Sequence, residues 1–457
     1  MPRALVLCFD GTGDSFDDDC TNVVRFVEAL EKRRPDKQIY YYQPGIGTSQ
    51  PQGEGVASRQ WVAKKLDQAL AWYLDAHIMG GYRFLMENYQ EGDKICMFGF
   101  SRGAYTARCL AGMVHKVGLL PRFNEEHLGF AYRKYLDHTP KGRKVAQAFK
   151  RAFSISVPIE FVGVWDTVAS VGWTFKHLPF TDSNTIIRRF RHALALDEHR
   201  VEFMPNPWHV PSKDPNAAEH DPDSGTAMIS TAHKSRLPGT VRGWLSFPKQ
   251  VFRTLFMLDP VDAGGDDASV FMLHPVDAGG DDTLDNDTKE DFEYHFGVPT
   301  DVQEVWFAGC HADVGGGSTQ NNNIHTLANP SLQWMVSEVL KHAPYVLFRP
   351  DAFTYDRAFS TYTQNDPKTD ANAPKNDQLV KKPVWLILEY IPIFQYYQDG
   401  EGIWHWRLRW NARRPREIYD STPCFHASVK LRRDYEGKWL TKFIPKTGEQ
   451  IKIRYVE

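Results

Sequence analysis

The chain lacks any run of eighteen apolar residues, so no helix is expected to span a membrane. Its opening, MPRALVLCFDGTG, turns polar too soon for a secretory signal. Both absences point to a cytoplasmic protein. Charge of one sign is lacking as well. A formal net charge of −3 argues against a dedicated nucleic-acid binder and leaves room only for local basic patches. Cysteine is sparse. Cys8, Cys20, Cys96, Cys109, Cys310 and Cys424 have the spacing of neither a metal site nor a dense disulfide framework, and several lie inside apolar runs. They are expected as buried free thiols. The glycine-rich turn Asp10-Gly11-Thr12-Gly13 lacks the lysine of a phosphate-binding loop and the spacing of a dinucleotide fingerprint. No cofactor and no metal are expected.

What is present is enough apolar chain for a large core, in one large domain or two ordinary ones. Short apolar runs of strand length recur, each closed by a polar or glycine-rich turn. They are Ala4–Phe9 before Asp10-Gly11, Lys94–Phe98 before Gly99-Phe100-Ser101, Ile159–Trp165 before Asp166-Thr167, and Val302–Ala308 before Gly309-Cys310-His311. Ile39–Gln43 is a further short strand. Helical patterns lie between: Thr21–Leu30 with Thr21 or Asn22 as cap, Trp61–Glu87 with a break at Gly80-Gly81, Ala104–Val117, and Pro330–Leu340. This alternation predicts an α/β fold, a mostly parallel sheet flanked by helices, with ligands met at the carboxyl ends of the strands.

Residues from about 170 to 300 are less regular and rich in aromatics, among them Trp173, Phe175, Trp208 and Trp244. They read as an insertion capping the sheet. Phe256–Asp267 and Phe271–Asp282 are near-copies that differ only at Asp259 and His274. Two copies do not make a solenoid, and a duplication in a tolerant surface loop accounts for them. Residues 1–379 are read as the catalytic domain and 380–457 as a small β-rich extension packed on it, with strands expected at Val384–Ile393 and Trp404–Trp410. Arg407, Arg409, Arg413, Arg414 and Arg416 make this tail basic. A solvated face is the plain reading, and contact with an anionic membrane surface is the functional one.

The chemistry centres on Ser101. In Gly99-Phe100-Ser101-Arg102-Gly103 the serine falls on a sharp turn between strand and helix, which pushes its hydroxyl outward. The backbone N–H of Arg102, with one from Gly11 or Thr12, could hold an oxyanion. A serine nucleophile needs a base, and the base an orienting acid. His311 and Asp166 each follow a strand, in the chain order Ser, Asp, His. Asp197 and Asp313 compete for the acid's role and His426 for the base's. Asp10, Asp313 and His426 could support the site.

With these residues in hand the chain resembles the DUF2235 family, which includes the catalytic domain of Tle1-type phospholipase effectors of type VI secretion, in the α/β-hydrolase superfamily. The resemblance rests on five segments in family order: Phe9-Asp10-Gly11-Thr12, Gly99 to Ala104, Gly163 to Val168, Ala193 to Glu198 with Arg200 and Phe203, and Trp306 to Gly317. A closing His426-Ala427-Ser428-Val429 looks like another family segment. The resemblance implies Asp166 as catalytic acid, His311 as base, and phospholipid acyl esters as substrates of some members.

The expected function is hydrolysis of carboxylic esters, acyl esters of lipids or phospholipids, through an acyl-enzyme on Ser101. Partners are then a small-molecule or lipid ester and, peripherally, a membrane. Three rivals stay open: a small-ester carboxylesterase, a non-catalytic binding protein on a hydrolase fold, and a metal-dependent phosphoesterase using Asp10, Asp313 and His311.

Overall fold

The computed structural model describes residues 2–11, 19–45, 59–137, 139–168, 170–171, 174–175, 178, 181, 184–209, 299–352, 367–382, 385–390, 393–399, 401–432 and 441–457. The near-repeat at 256–282 and Thr12 lie outside them. Along the chain run β1 (Ala4–Phe9), α1 (Asn22–Ala29), β2 (Gln38–Gln43), α2 (Arg59–Asn88), β3 (Lys94–Phe100), α3 (Ser101–Val117), α4 (Glu125–Leu136), α5 (Pro140–Phe153) and β4 (Ile159–Trp165). Next come the two-residue strands β5 (Ser170–Val171) and β6 (Thr174–Phe175), then β7 (Arg189–Ala195), β8 (Asp301–Phe307), α6 (His311–Gly315) and α7 (Ala328–His342). The tail adds β9 (Ile393–Gln398), β10 (Trp404–Arg409), β11 (Glu417–Ile418), β12 (Cys424–His426), β13 (Lys442–Phe443) and β14 (Arg454–Val456).

Eight strands form one sheet in the order β14-β12-β8-β7-β4-β3-β1-β2, and every neighbouring pair is parallel. Runs such as Ala4–Phe9 are apolar throughout because both faces of a parallel sheet are covered. Alternation then divides each run. Leu5, Leu7, Phe9, Ile95 and Met97 pack toward α2 and α3, while Ala4, Val6, Cys8, Cys96 and Phe98 pack toward α1 and α7. The winding reverses at β1. The chain passes outward to β2, returns across to β3, and proceeds to the other edge, so the crevice between the ends of β1 and β3 is a topological switch point.

Several sequence readings meet their structure here. Thr21 caps α1, its hydroxyl accepting from the Val24 N–H at 3.2 Å. The expected break at Gly80-Gly81 does not occur, and α2 runs straight through. These glycines serve close approach: a Cβ on Gly81 would lie 2.8 Å from Leu110 and 2.9 Å from Phe9. Within the stretch read as a cap, Arg189–Ala195 is itself a central sheet strand. Trp385–Glu389, expected extended, is helical. A short apolar run without alternation fits either state, and tertiary contacts decide it. In the tail, β12 and β14 extend the main sheet, while β9 with β10 and β11 with β13 form two small sheets. All six cysteines are free, and all but Cys20 are buried. Among the described residues no helix is long and apolar enough to cross a membrane.

The α1 face of the core depends on Phe26. It has no exposed surface, and its ring centroid lies 4.3 Å from that of Phe98 and 5.5 Å from that of Phe348. Phe26→Ala is expected to lower the unfolding free energy by about 3–5 kcal/mol, read by urea denaturation.

Candidate active site

The serine turn is built by backbone crowding. Phe100 is extended, and Ser101 follows in the left-handed region at φ 58° as the first residue of α3. Such strain in a non-glycine residue persists only where its surroundings impose it. Here the flanking glycines do so. A Cβ on Gly99 would stand 2.6 Å from the Gly103 carbonyl oxygen. A Cβ on Gly103 would stand 2.3 Å from the Phe9 oxygen and 2.4 Å from the Asp10 oxygen. These are backbone atoms, so only glycine lets α3 start directly against the end of β1.

Asp166 follows β4, also with positive φ, at 38°. His311 opens α6 just after β8. The parallel sheet brings all three together over 210 positions of sequence. His311 Nε2 lies 2.7 Å from Ser101 Oγ, and His311 Nδ1 lies 2.6 Å from Asp166 Oδ2. An ionised carboxylate only accepts, so Nδ1 carries the proton and Nε2 is left to accept from the serine hydroxyl. Burial by itself would raise the Asp166 pKa. The adjacent Arg416 guanidinium and then His311 overcome this and hold the carboxyl well below the usual range. Burial pushes the His311 pKa below that of free histidine, against the pull of Asp166. The imidazole is therefore neutral at pH 7.

Arg416 is the residue that sequence reasoning misplaced. The sequence groups it with a basic face, and Arg413 and Arg414 are indeed exposed. Arg416 instead is buried, and its two terminal nitrogens donate to both oxygens of Asp166 at 2.6 and 2.9 Å. The same nitrogens donate to the carbonyls of Ala195 and Phe203. Nothing in its sequence neighbourhood sets it apart from the other arginines. Arg407 and Arg409 are tied to Glu417.

The other supports were foreshadowed by the segment Ala193 to Phe203. Asp166 accepts the Ala195 N–H at 2.9 Å. Glu198 is clamped by Arg200 at 2.8 and 2.9 Å and accepts the backbone N–H of His311 at 3.2 Å. The His311 ring lies between Phe100 and Phe203, with centroids 4.7 and 4.8 Å away. The Arg200 guanidinium lies over the Phe203 ring at 3.5 Å. His192 accepts the Thr167 N–H on Nε2 and donates from Nδ1 to Glu304, fixing the turn that carries Asp166.

The competing residues brace loops. Asp197 accepts the Gly309 N–H at 2.7 Å, and Asp313 accepts those of Cys310 and Asn376, both 2.9 Å. His426 sits in β12, bonded to Ser428 and stacked on Phe307 (its pKa pushed down to about 4 by burial), away from Ser101. Asp10 accepts from Thr21, Tyr42 and Gly11. The Gly11 N–H, expected to face an oxyanion, thus donates to Asp10 at 2.7 Å. Among the described residues no group of three His, Cys, Asp or Glu is placed to hold a metal ion.

Glu198 gives the site a pH signature. Burial would raise its pKa, but Arg200 brings it down to about 2. A carboxylate depressed in the folded state contributes stability above its unfolded pKa of about 4.3, and loses it as pH falls through the folded value. Glu198→Gln is expected to be clearly less stable than the parent at pH 7. In urea unfolding, the gap should close as pH falls from 4 toward 2 in steps.

The family model for the catalytic domain of Tle1-like phospholipase effectors of type VI secretion matches residues 3–338. An uncharacterized protein of Saccharomyces cerevisiae, YEL023C, is 32% identical over 399 residues, covering 77% of this chain and 58% of that protein. The chain thus spans little more than half the length of that relative. A crystal structure of an uncharacterized protein from Pseudomonas aeruginosa aligns with 85% of this chain and 53% of that one, at 15% identity and a TM-score of 0.38, too distant to carry an argument. Matched from residue 3 to residue 338, the chain belongs to the family of type VI secretion Tle1-like phospholipase effector catalytic domains.

Proposed function

We propose that the chain is a serine hydrolase of lipid acyl esters, with Ser101 as nucleophile, His311 as general base and Asp166 as the acid that orients it. The observation that carries this reading is the unbroken hydrogen-bonded line from Ser101 Oγ through both nitrogens of His311 to Asp166. A neutral imidazole with its free lone pair on the serine is the state a general base requires. Family membership supports a lipid ester as substrate.

In this scheme Ser101 Oγ attacks the acyl carbon as its proton passes to His311 Nε2. Asp166 stabilises the imidazolium so formed. The oxyanion is held by the N–H of Arg102, which lies in the first turn of α3, where amides have no acceptor within the helix. A second donor from the turn after β1 requires the Gly11 amide to leave Asp10. Collapse expels the alcohol, which takes the proton from His311. Water, deprotonated by the same imidazole, then releases the fatty acid and restores Ser101. In this reading residues 1–379 form the catalytic domain and 380–457 a β-rich extension packed on it, docked peripherally on the membrane that holds the substrate.

Ser101→Ala is expected to lower turnover of phospholipid vesicles and of acyl esters by about 10⁴-fold or more, and to abolish labelling by a fluorophosphonate probe, with the fold unchanged by circular dichroism. An acyl-chain series on the parent should show kcat/KM rising with chain length. Full activity of Ser101→Ala would refute the scheme, and a preference for acetyl esters would refute the lipid assignment.

A further inference from the structure

Asp166 is bonded more heavily than orienting a histidine requires. Besides His311 it accepts from Ala195 N–H and from both terminal nitrogens of Arg416, and the Arg416 and Asp166 side chains are 1% and 0% exposed. The guanidinium is itself fixed by the carbonyl of Ala195 at the end of β7 and by that of Phe203, whose ring backs His311. One planar fork therefore sets the plane of the acid and the position of the residues around the base. It enters from between β10 and β11, well past residue 338, where the family match ends.

We propose that Arg416 is a positioning residue of this active site, whose bidentate grip on Asp166 aims His311 at Ser101, so that the tail contributes a residue to the centre. The inference rests on the triad reading above. Only an arginine supplies the fork, since a lysine keeps the charge as a single point.

The electrostatic consequence has a definite sign. The groups facing His311 are Ser101 from α3, Asp166 behind β4, and Glu198 and Arg200 behind β7, with Arg416 behind Asp166. The two carboxylates favour the imidazolium. Arg200 opposes it directly, and Arg416 opposes it by offsetting the charge of Asp166. Loss of the Arg416 charge makes the imidazolium easier to form, so His311 stays protonated to higher pH. The acid limb of kcat/KM, which reports the neutral base, then moves up.

Arg416→Gln and Arg416→Lys, assayed with a soluble short-chain ester from about pH 4.5 to about pH 9, test this. In Arg416→Gln, kcat should fall about 100-fold with little change in KM, and the acid limb should rise by about one pH unit. Arg416→Lys should also lose kcat but keep the parent's acid limb. A folded Arg416→Gln with parental kcat and limb overturns the proposal. Equal kcat losses with neither limb moved assign Arg416 a merely structural role and overturn it too. Should both variants unfold, Arg416→Ala is assayed with and without added methylguanidinium, which can refill the vacated fork: recovery of kcat together with the fold supports the proposal, and recovery of the fold without kcat overturns it. Ser101→Ala is the control: full activity there sinks the triad itself, whereas a crippled Ser101→Ala beside unaffected Arg416 variants sinks only this inference.

Discussion

A fully buried carboxylate at the end of β4 governs the architecture around it. Taking the Asp166 charge out of water is costly unless paired and hydrogen-bonded, and removing one partner of such a pair is far worse than never having built it. The chain meets that demand from three directions: His311 behind β8, the Ala195 amide at the end of β7, and Arg416 from the tail. Each partner has to arrive in register. The position of the tail, the path of the segment after β7 and the start of α6 are thereby tied to one side chain.

That convergence is possible because all eight strands run the same way. Parallel strands deliver their carboxyl ends to one edge of the sheet, so residues following β1, β3, β4, β7 and β8 become neighbours however far apart they lie in sequence. Reversal of the winding at β1 opens the crevice into which the Ser101 turn projects. The absence of a Cβ at Gly103, where one would meet the Phe9 and Asp10 carbonyls, lets the start of α3 lie against the end of β1. A second tier of carboxylates holds the histidine loop through its backbone. Asp197 and Asp313 accept backbone N–H groups at 309 and 310, and Glu198 accepts that of His311 itself. The chain places several acids near the site, but among the described residues only Asp166 reaches the imidazole nitrogen.

Local patterns in the sequence were most legible where local sterics decide the outcome. Both-face apolar runs marked β1, β3, β4 and β8 to within a residue or two, and Thr21 marked the start of α1. The glycines around Ser101 announced a turn that only glycine permits. Local patterns misled where packing decides. Gly80-Gly81 read as a helix break but serves the close contact of α2 with Phe9 and Leu110. Trp385–Glu389 read as a strand and is a helix. The strand at Arg189–Ala195 is hidden within a stretch that reads as a cap, because Arg189, Arg191 and His192 interrupt its apolar run.

The sequence by itself determined the parallel α/β layering and proposed Ser101, Asp166 and His311, since each follows a strand and a strand's end is a local property. Tertiary structure alone decided which acid meets the histidine and what steadies that acid. Asp197 and Asp313 are the same kind of residue as Asp166, and Arg416 stands in a row of like arginines. Pairing depends on distance in space, which composition and spacing do not encode. Of the five arginines from 407 to 416, the fold buries Arg416 against Asp166, a carboxylate with no exposed surface.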